Sequence, residues 1–270
     1  MSYKNIGSGL VSEGRISVSS AGGVTTITID NAERMNAISL AMWQQLGAAV
    51  AQIDAQTRCV VVTGAGGRAF ASGADISEFK ALRRQPAARE EYDKAAYEAM
   101  TSLYALPQPT IAHISGYCIG AGMALALCCD VRLATDRSLF AIPAGRLGLG
   151  YGPAEIKRLM DAVGVATASD ILLSARRYDA AEALAKGLVT RLFAADKIAE
   201  EAASYAASVA KNAPMTIQAA KRVIKELAVT SDTADMALCE DLTDRCFASA
   251  DYIEGINAFL EKRQPDFKGE

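Results

Sequence analysis

The chain has 270 residues, of which 51% are hydrophobic and 22% charged. These proportions exclude wholesale disorder and leave room for one large domain, or one domain with a helical appendage, around a sizeable core. A formal charge of −3 excludes a nucleic-acid binder that relies on bulk positive charge.

In chain order, two β-branched runs over 15–19 and 24–29 flank Ala21-Gly22-Gly23, which reads as a hairpin. Ser39 is placed to cap a helix whose apolar face is Leu40, Trp43, Leu46, Val50 and Ile53. A buried strand over 59–63 leads into a Gly-rich loop over 64–73. A polar helix over 85–106 stops at Pro107 and Pro109, and a second buried strand covers 110–114. A Gly-rich turn and an apolar helix over 120–129 follow, then short strands over 131–135 and 139–141. Pro153 opens a helix that Gly164 is predicted to end, with further short helices over 166–174 and 179–186. Gly187-Leu188-Val189 leads into a last strand. Beyond Asp196 the pattern is helical only, over 198–211, 214–227, 233–246 and 252–262. Alternating strands and helices followed by helices alone predict a parallel-sheet core with a helical tail.

No uncharged apolar run reaches the roughly 18 residues of a membrane span; the longest, 111–129, is interrupted by Gly116, Gly120 and Gly122. Residues 1–14 lack a basic start followed by an apolar stretch, so no signal peptide is predicted and a cytoplasmic protein is expected. The six cysteines include no CxxC pair, and with His113 as the single histidine no metal site is expected. The cysteines read as reduced, buried thiols. Gly120-Ala121-Gly122 lacks the rest of a dinucleotide fingerprint, and Gly64-Ala65-Gly66-Gly67 lacks the Lys-Ser/Thr of a phosphate loop.

Two segments stand out together: 69–78, Ala-Phe-Ala-Ser-Gly-Ala-Asp-Ile-Ser-Glu, and 108–122, which ends Gly-Tyr-Cys-Ile-Gly-Ala-Gly. Each follows a buried strand and enters a helix through small residues, which let a ligand approach the backbone. At such a point free N–H groups are available to a negatively charged oxygen. Either loop alone is accounted for by tight strand-to-helix packing; the pair, in this order, is more specific.

With these loops the chain resembles the crotonase superfamily, the enoyl-CoA hydratase/isomerase proteins. The resemblance also rests on Asn31, Arg34-Met35-Asn36-Ala37-Ile38, Cys129-Asp130-Val131-Arg132, Ala180 with Glu182-Ala183, Gly187-Leu188-Val189 and the tail 254–263. It implies a ββα spiral that binds acyl-CoA over residues 1–196 and a helical trimerisation region over 197–270, assembled as homotrimers or hexamers. It implies an oxyanion hole from the N–H groups of Ala74 and Ala121. Ala37 and the stretch Ala74, Asp75, Ile76 and Ser77 would line the coenzyme A site. Phe259 and Lys262 of a neighbouring subunit would approach the nucleotide. No metal and no tightly bound cofactor are implied; coenzyme A arrives as part of the substrate.

The two hydratase glutamates of the family fall on Ala124 and Ala144, and an alanine cannot move a proton. An oxyanion hole without these carboxylates still suits a reaction that makes its own enolate. Arg146-Leu147-Gly148-Leu149-Gly150-Tyr151 is similar to a stretch of the superfamily's methylmalonyl-CoA decarboxylases, which makes Tyr151 a candidate acid. The decarboxylases carry a His where this chain has Ala74. Glu155 is a second acid/base candidate beside its reading as a favourable charge in a first helical turn. Three functions follow: an acyl-CoA lyase, isomerase or hydratase with an unconventional acid/base, a malonyl-type decarboxylase, and a silent acyl-CoA-binding homologue. His113 and Asp130 are read as structural, as is the carboxylate of Asp75. Arg146 is read as solvated, and Lys80, Arg83 and Arg84 as a charged helix face.

Overall fold

The computed structural model describes residues 14–75, 86–228 and 235–270. β1 (Arg15–Ala21) and β2 (Val24–Asp30) form the hairpin, pairing antiparallel from Arg15 opposite Asp30 to Ala21 opposite Val24. A 3-10 turn, Ala32–Arg34, leads to α1 (Leu40–Ala51), where the Ser39 hydroxyl accepts the Met42 N–H at 3.2 Å. β3 (Cys59–Gly64), β4 (Ala69–Ala71) and α2 (Pro86–Ala105) follow. Next come β5 (Thr110–Ile114), β6 (Tyr117–Ile119) and α3 (Ala121–Ala126). Then come β7 (Val131–Thr135), β8 (Leu139–Ala141), α4 (Ala144–Leu147) and α5 (Pro153–Ser174). β9 (Tyr178–Asp179), α6 (Ala180–Ala185) and β10 (Arg191–Phe193) close the mixed part. The remaining helices are α7 (Ile198–Ala210), α8 (Pro214–Leu227), α9 (Met236–Phe247) and α10 (Ala250–Glu261).

The strands form two sheets, in the orders β1-β2-β3-β5-β7-β10 and β4-β6-β8-β9. Only β1 and β9 run antiparallel to their neighbours. Successive strand pairs, β3 with β4, β5 with β6 and β7 with β8, give one strand to each sheet and then a helix. This is a ββα spiral, the α/β class that the resemblance implied.

The larger sheet is covered on both faces, which explains its near-continuous apolar strands. Alternate residues Val60, Val62, Ala112 and Ile114 join one core cluster with Trp43, Leu46, Met100 and Leu103 of α1 and α2. Their neighbours Cys59, Val61, Ile111 and Leu133 pack with Ile198, Ala202 and Ala206 of α7. α7 therefore covers the far face of the sheet.

α8 is tied down by an ion pair between a buried lysine and a part-exposed carboxylate. Lys221 Nζ lies 2.7 Å from Asp130 Oδ2 and donates to the Gln108 carbonyl at 2.7 Å. Asp130 also accepts the Thr110 N–H and hydroxyl at 2.8 and 2.9 Å, the turn-holding role read from sequence. Gly164 breaks α5 at φ 76°, ψ 164°, and a second helical stretch runs on to Ser174, as expected from the sequence. Among the described residues no helix is long and apolar enough to cross a membrane.

Candidate active site

β4, β6 and β8 are adjacent and parallel, with Tyr117 opposite Ala69 and Leu139 and Cys118 opposite Ala71 and Phe140. Their C-terminal ends therefore lie side by side. The loops leaving them carry Ser72 to Asp75, Gly120 with Ala121, and Ile142 to Ala144. Three segments far apart in sequence meet at one edge because the strands beneath them are paired.

The first loop is braced from the 31–38 turn. Asn31 donates to the Ala37 carbonyl at 2.8 Å. The Asn36 amide donates to the carbonyls of Ala65 and Ala69 at 2.9 and 2.7 Å. Ile38 then bridges to Ala74: its N–H donates to the Gly73 carbonyl at 2.9 Å, and its carbonyl accepts the Asp75 N–H at 3.0 Å. The Ile38 carbonyl also accepts the Tyr92 hydroxyl at 3.0 Å, and that hydroxyl takes the Trp43 indole N–H at 2.9 Å. Both backbone bonds of Ile38 go to the neighbours of Ala74, so the Ala74 N–H is turned away from it.

The second loop reaches α3 through Gly120, whose N–H donates to the Ala141 carbonyl at 2.8 Å. Gly120 has φ 54° and ψ −115°, a conformation a side chain would strain, and a Cβ there would lie 4.0 Å from the Gly73 Cα. A Cβ at Gly122 would run into the Ala71 carbonyl and lie 2.8 Å from the Ala71 Cβ. The small residues thus bring the two loops into contact. Among the described residues neither the Ala74 nor the Ala121 N–H has a hydrogen-bond acceptor.

Ala124 is 3% exposed and sits in the main apolar cluster, against which Ala74, Ala121, Ala144 and Tyr151 also pack. Ala124 and Ala144 are therefore part of an apolar wall. The Tyr151 hydroxyl is buried, with no hydrogen-bond partner among the described residues. Burial, and then the charge of Glu155, push it well above the usual tyrosine range, with smaller contributions from Cys128 and Cys118. It therefore stays protonated. Tyr151 packs on the same cluster as Ala124, and Cys128, whose thiol donates to the Ala124 carbonyl at 3.3 Å, is among the groups that act on its hydroxyl.

Glu155 lies in the first turn of α5, its carboxylate folded over the backbone of Gly152. The Asp75 carboxylate meets Arg34 at 2.7 Å and its side chain is 8% exposed. Ala37 is buried beside the bridge to Ala74. Ile76, Ser77, Lys80, Arg83 and Arg84 lie outside the described residues. Phe259 and Lys262 are exposed on α10, which packs chiefly with α9 and the chain end. Phe259 lines an apolar groove of about 660 Å³ between α8, α9 and α10. His113 is part-buried in β5, its Nε2 without a partner among the described residues, which fits the structural reading. Sequence reasoning passed over Arg158, a buried arginine on α5 seven residues after Tyr151. Its spacing of three residues from Glu155 on the same helix was the one available signal.

The family profile described as "Enoyl-CoA hydratase/isomerase" matches residues 19–270. The 2,3-dehydroadipyl-CoA hydratase of Escherichia coli is 34% identical over 254 residues, covering 91% of this chain and 95% of that protein. Among solved structures, an enoyl-CoA hydratase/carnithine racemase from Magnetospirillum magneticum superimposes with a TM-score of 0.89 at 36% identity, covering 94% of this chain and 96% of the other. The enoyl-CoA hydratase of Bacillus anthracis gives a TM-score of 0.90 at 32% identity, covering 94% and 99%. The parallel loop cluster with its two unengaged amides, the spiral that carries it and these full-length similarities lead to one assignment: the chain belongs to the enoyl-CoA hydratase/isomerase family of the crotonase superfamily.

Proposed function

We propose that the protein processes an acyl-CoA thioester by stabilising its enolate with the N–H groups of Ala74 and Ala121, and that the Tyr151 hydroxyl supplies the proton that quenches it. The observation that carries this reading is the pair of acceptor-free amides on adjoining loops; a buried tyrosine hydroxyl without a partner among the described residues belongs to a side chain packed on the same apolar cluster. Donors fixed in place before the reaction act most strongly on charge that develops only in the transition state. The loop from Ala74 through Ser77 and the turn at Ala37 would hold the coenzyme A. In a trimer or hexamer, Phe259 and Lys262 of one subunit would reach the nucleotide of the next. No metal or redox group is required by this chemistry.

One specific reaction is favoured by the alanines at 124 and 144. A site without those carboxylates, and with a tyrosine held protonated, gives a proton more readily than it takes one. Decarboxylation of a malonyl-type thioester needs only that. The bond from the α-carbon to the carboxylate breaks and CO2 leaves. The electron pair moves onto the thioester oxygen, and the α-carbon then takes the Tyr151 proton, which water replaces.

The test is mass spectrometry of a panel of acyl-CoA thioesters, read for loss of CO2, gain of water or no change. CO2 loss from methylmalonyl-CoA that disappears in Tyr151→Phe supports the decarboxylase. Hydration of crotonyl-CoA kept in Tyr151→Phe and lost in Glu155→Gln moves the acid/base role to Glu155. Binding of the thioesters without any turnover makes the protein a silent homologue and refutes the enzymatic reading.

A further inference from the structure

Arg158 is 9% exposed, yet its Nη1 has no hydrogen-bond partner among the described residues. No ion pair joins it to a described carboxylate, although a buried charge is costly unless it is paired. Its guanidinium stands 4.8 Å from the centre of the Tyr104 ring, and the Lys225 ammonium stands 3.8 Å from the same centre. Lys225 donates to the Tyr104 carbonyl at the C-terminal end of α2, which accounts for part of its charge. Lys221 stands on the same helix, α8, and is ion-paired with Asp130 at 2.7 Å; Asp130 is also 4.0 Å from Lys225. Burial, and then the neighbouring Lys221, push the Lys225 ammonium down to about 8, as expected where positive charge is in excess. Lys221 and Lys225 thus share Asp130, Asp161 is taken by Lys157, and Arg158 is left without an ion pair among the described residues, Glu155 being a further charge in the same region.

A second polar atom in this corner is also unengaged. The Thr101 hydroxyl is buried without a partner among the described residues, one turn before Tyr104 on α2 and so on the same face. Arg158 lies on the second turn of α5, the helix that follows the loop carrying Tyr151, the proposed proton donor.

We propose that Arg158, with Thr101 and Lys225 around the Tyr104 ring, forms a buried binding site for a carboxylate or small oxyanion. Two sources of that group fit the chemistry. One is the distal carboxylate of a substrate's own acyl chain, which rests on the acyl-CoA reading above. The other is a free anion, which does not. A planar guanidinium with a free edge suits either, because carboxylates and oxyanions accept its N–H groups in pairs.

Calorimetric titration of the full chain with octanoyl-CoA and with suberyl-CoA, its ω-carboxylated counterpart, tests the first source. Suberyl-CoA is expected to bind about tenfold or more tightly. Arg158→Met and Thr101→Val should each shrink that ratio while octanoyl-CoA binding is kept. Thermal melting with added inorganic phosphate tests the second source: stabilisation of the wild type that is lost in Arg158→Met assigns the site to a free anion. Equal binding of the two thioesters together with no Arg158-dependent effect of phosphate overturns the proposal while leaving the acyl-CoA reading intact. Binding of neither thioester would instead refute the acyl-CoA reading, and the phosphate measurement would then decide this site by itself.

Discussion

Ala121→Pro replaces the amide hydrogen by a ring carbon and tests the oxyanion hole at a position where the backbone accepts proline. Ala121 is the first residue of α3, a position where proline fits the helical backbone and where the lost N–H has no intrahelical acceptor. In this protein that N–H has no acceptor among the described residues, so no native bond is broken. The preceding residue is a glycine with ψ −115°, far from the helical values that a following proline disfavours. The stability change is therefore expected to stay within about 0.5 kcal/mol. Loss of one preorganised oxyanion donor costs about 2.7–4 kcal/mol of transition-state stabilisation, or about 10²–10³ in kcat. Circular dichroism and thermal melting check the fold, and the rate of acyl-CoA conversion in the mass-spectrometric assay checks the chemistry. A folded variant with wild-type kcat refutes the reasoning, because the amide would then have no part in the reaction.

Other consequences concern the frame around the site. Lys221→Met leaves the part-exposed Asp130 without its nearest cation and should cost about 1–2 kcal/mol in denaturant unfolding; a loss below 0.5 kcal/mol would mean that α8 is held by packing alone. Burial lowers the His113 pKa below its ordinary 6.5, so the unfolded chain takes the proton more readily. His113 therefore leaves stability intact above pH 6.5 and removes it as pH falls below that, with a slope of at most about 1.4 kcal/mol per pH unit, and His113→Leu should flatten the slope. Burial pushes the Cys59 and Cys128 thiols up to about 12 and raises Cys118 and Cys129 as well. A thiol reagent at neutral pH should accordingly modify the part-exposed Cys246 in the native protein and all six cysteines after unfolding; fast native labelling of Cys128 would contradict the buried placement.

The larger sheet was legible because its strands are long apolar runs between turn signals, and the two loops because small residues concentrate where backbones approach. β4, β6 and β8 were harder. Each has three residues, too few to show a period of two, and β8 alone was expected from its apolar run. Yet the pairing of these strands is what brings Ala74 and Ala121 to adjoining loops. The break at Gly164 and the helix beyond it were both predicted, because a glycine with positive φ interrupts an otherwise helical pattern. Tyr151 entered as a candidate through resemblance, with its ring in a loop and its hydroxyl free to face water. Only packing shows that hydroxyl to be buried near α3. Arg158 gave only its spacing of three from Glu155, since a buried and an exposed arginine look alike in a sequence.

The most direct measurement is infrared difference spectroscopy of a bound acyl-CoA carrying ¹³C at its thioester carbonyl. Two amides on one oxygen should lower the carbonyl stretching frequency relative to the thioester in water, and Ala121→Pro should reverse part of that displacement. A bound thioester whose carbonyl absorbs as it does in solution, in the wild type and the variant alike, would show that the loop amides do not converge on it.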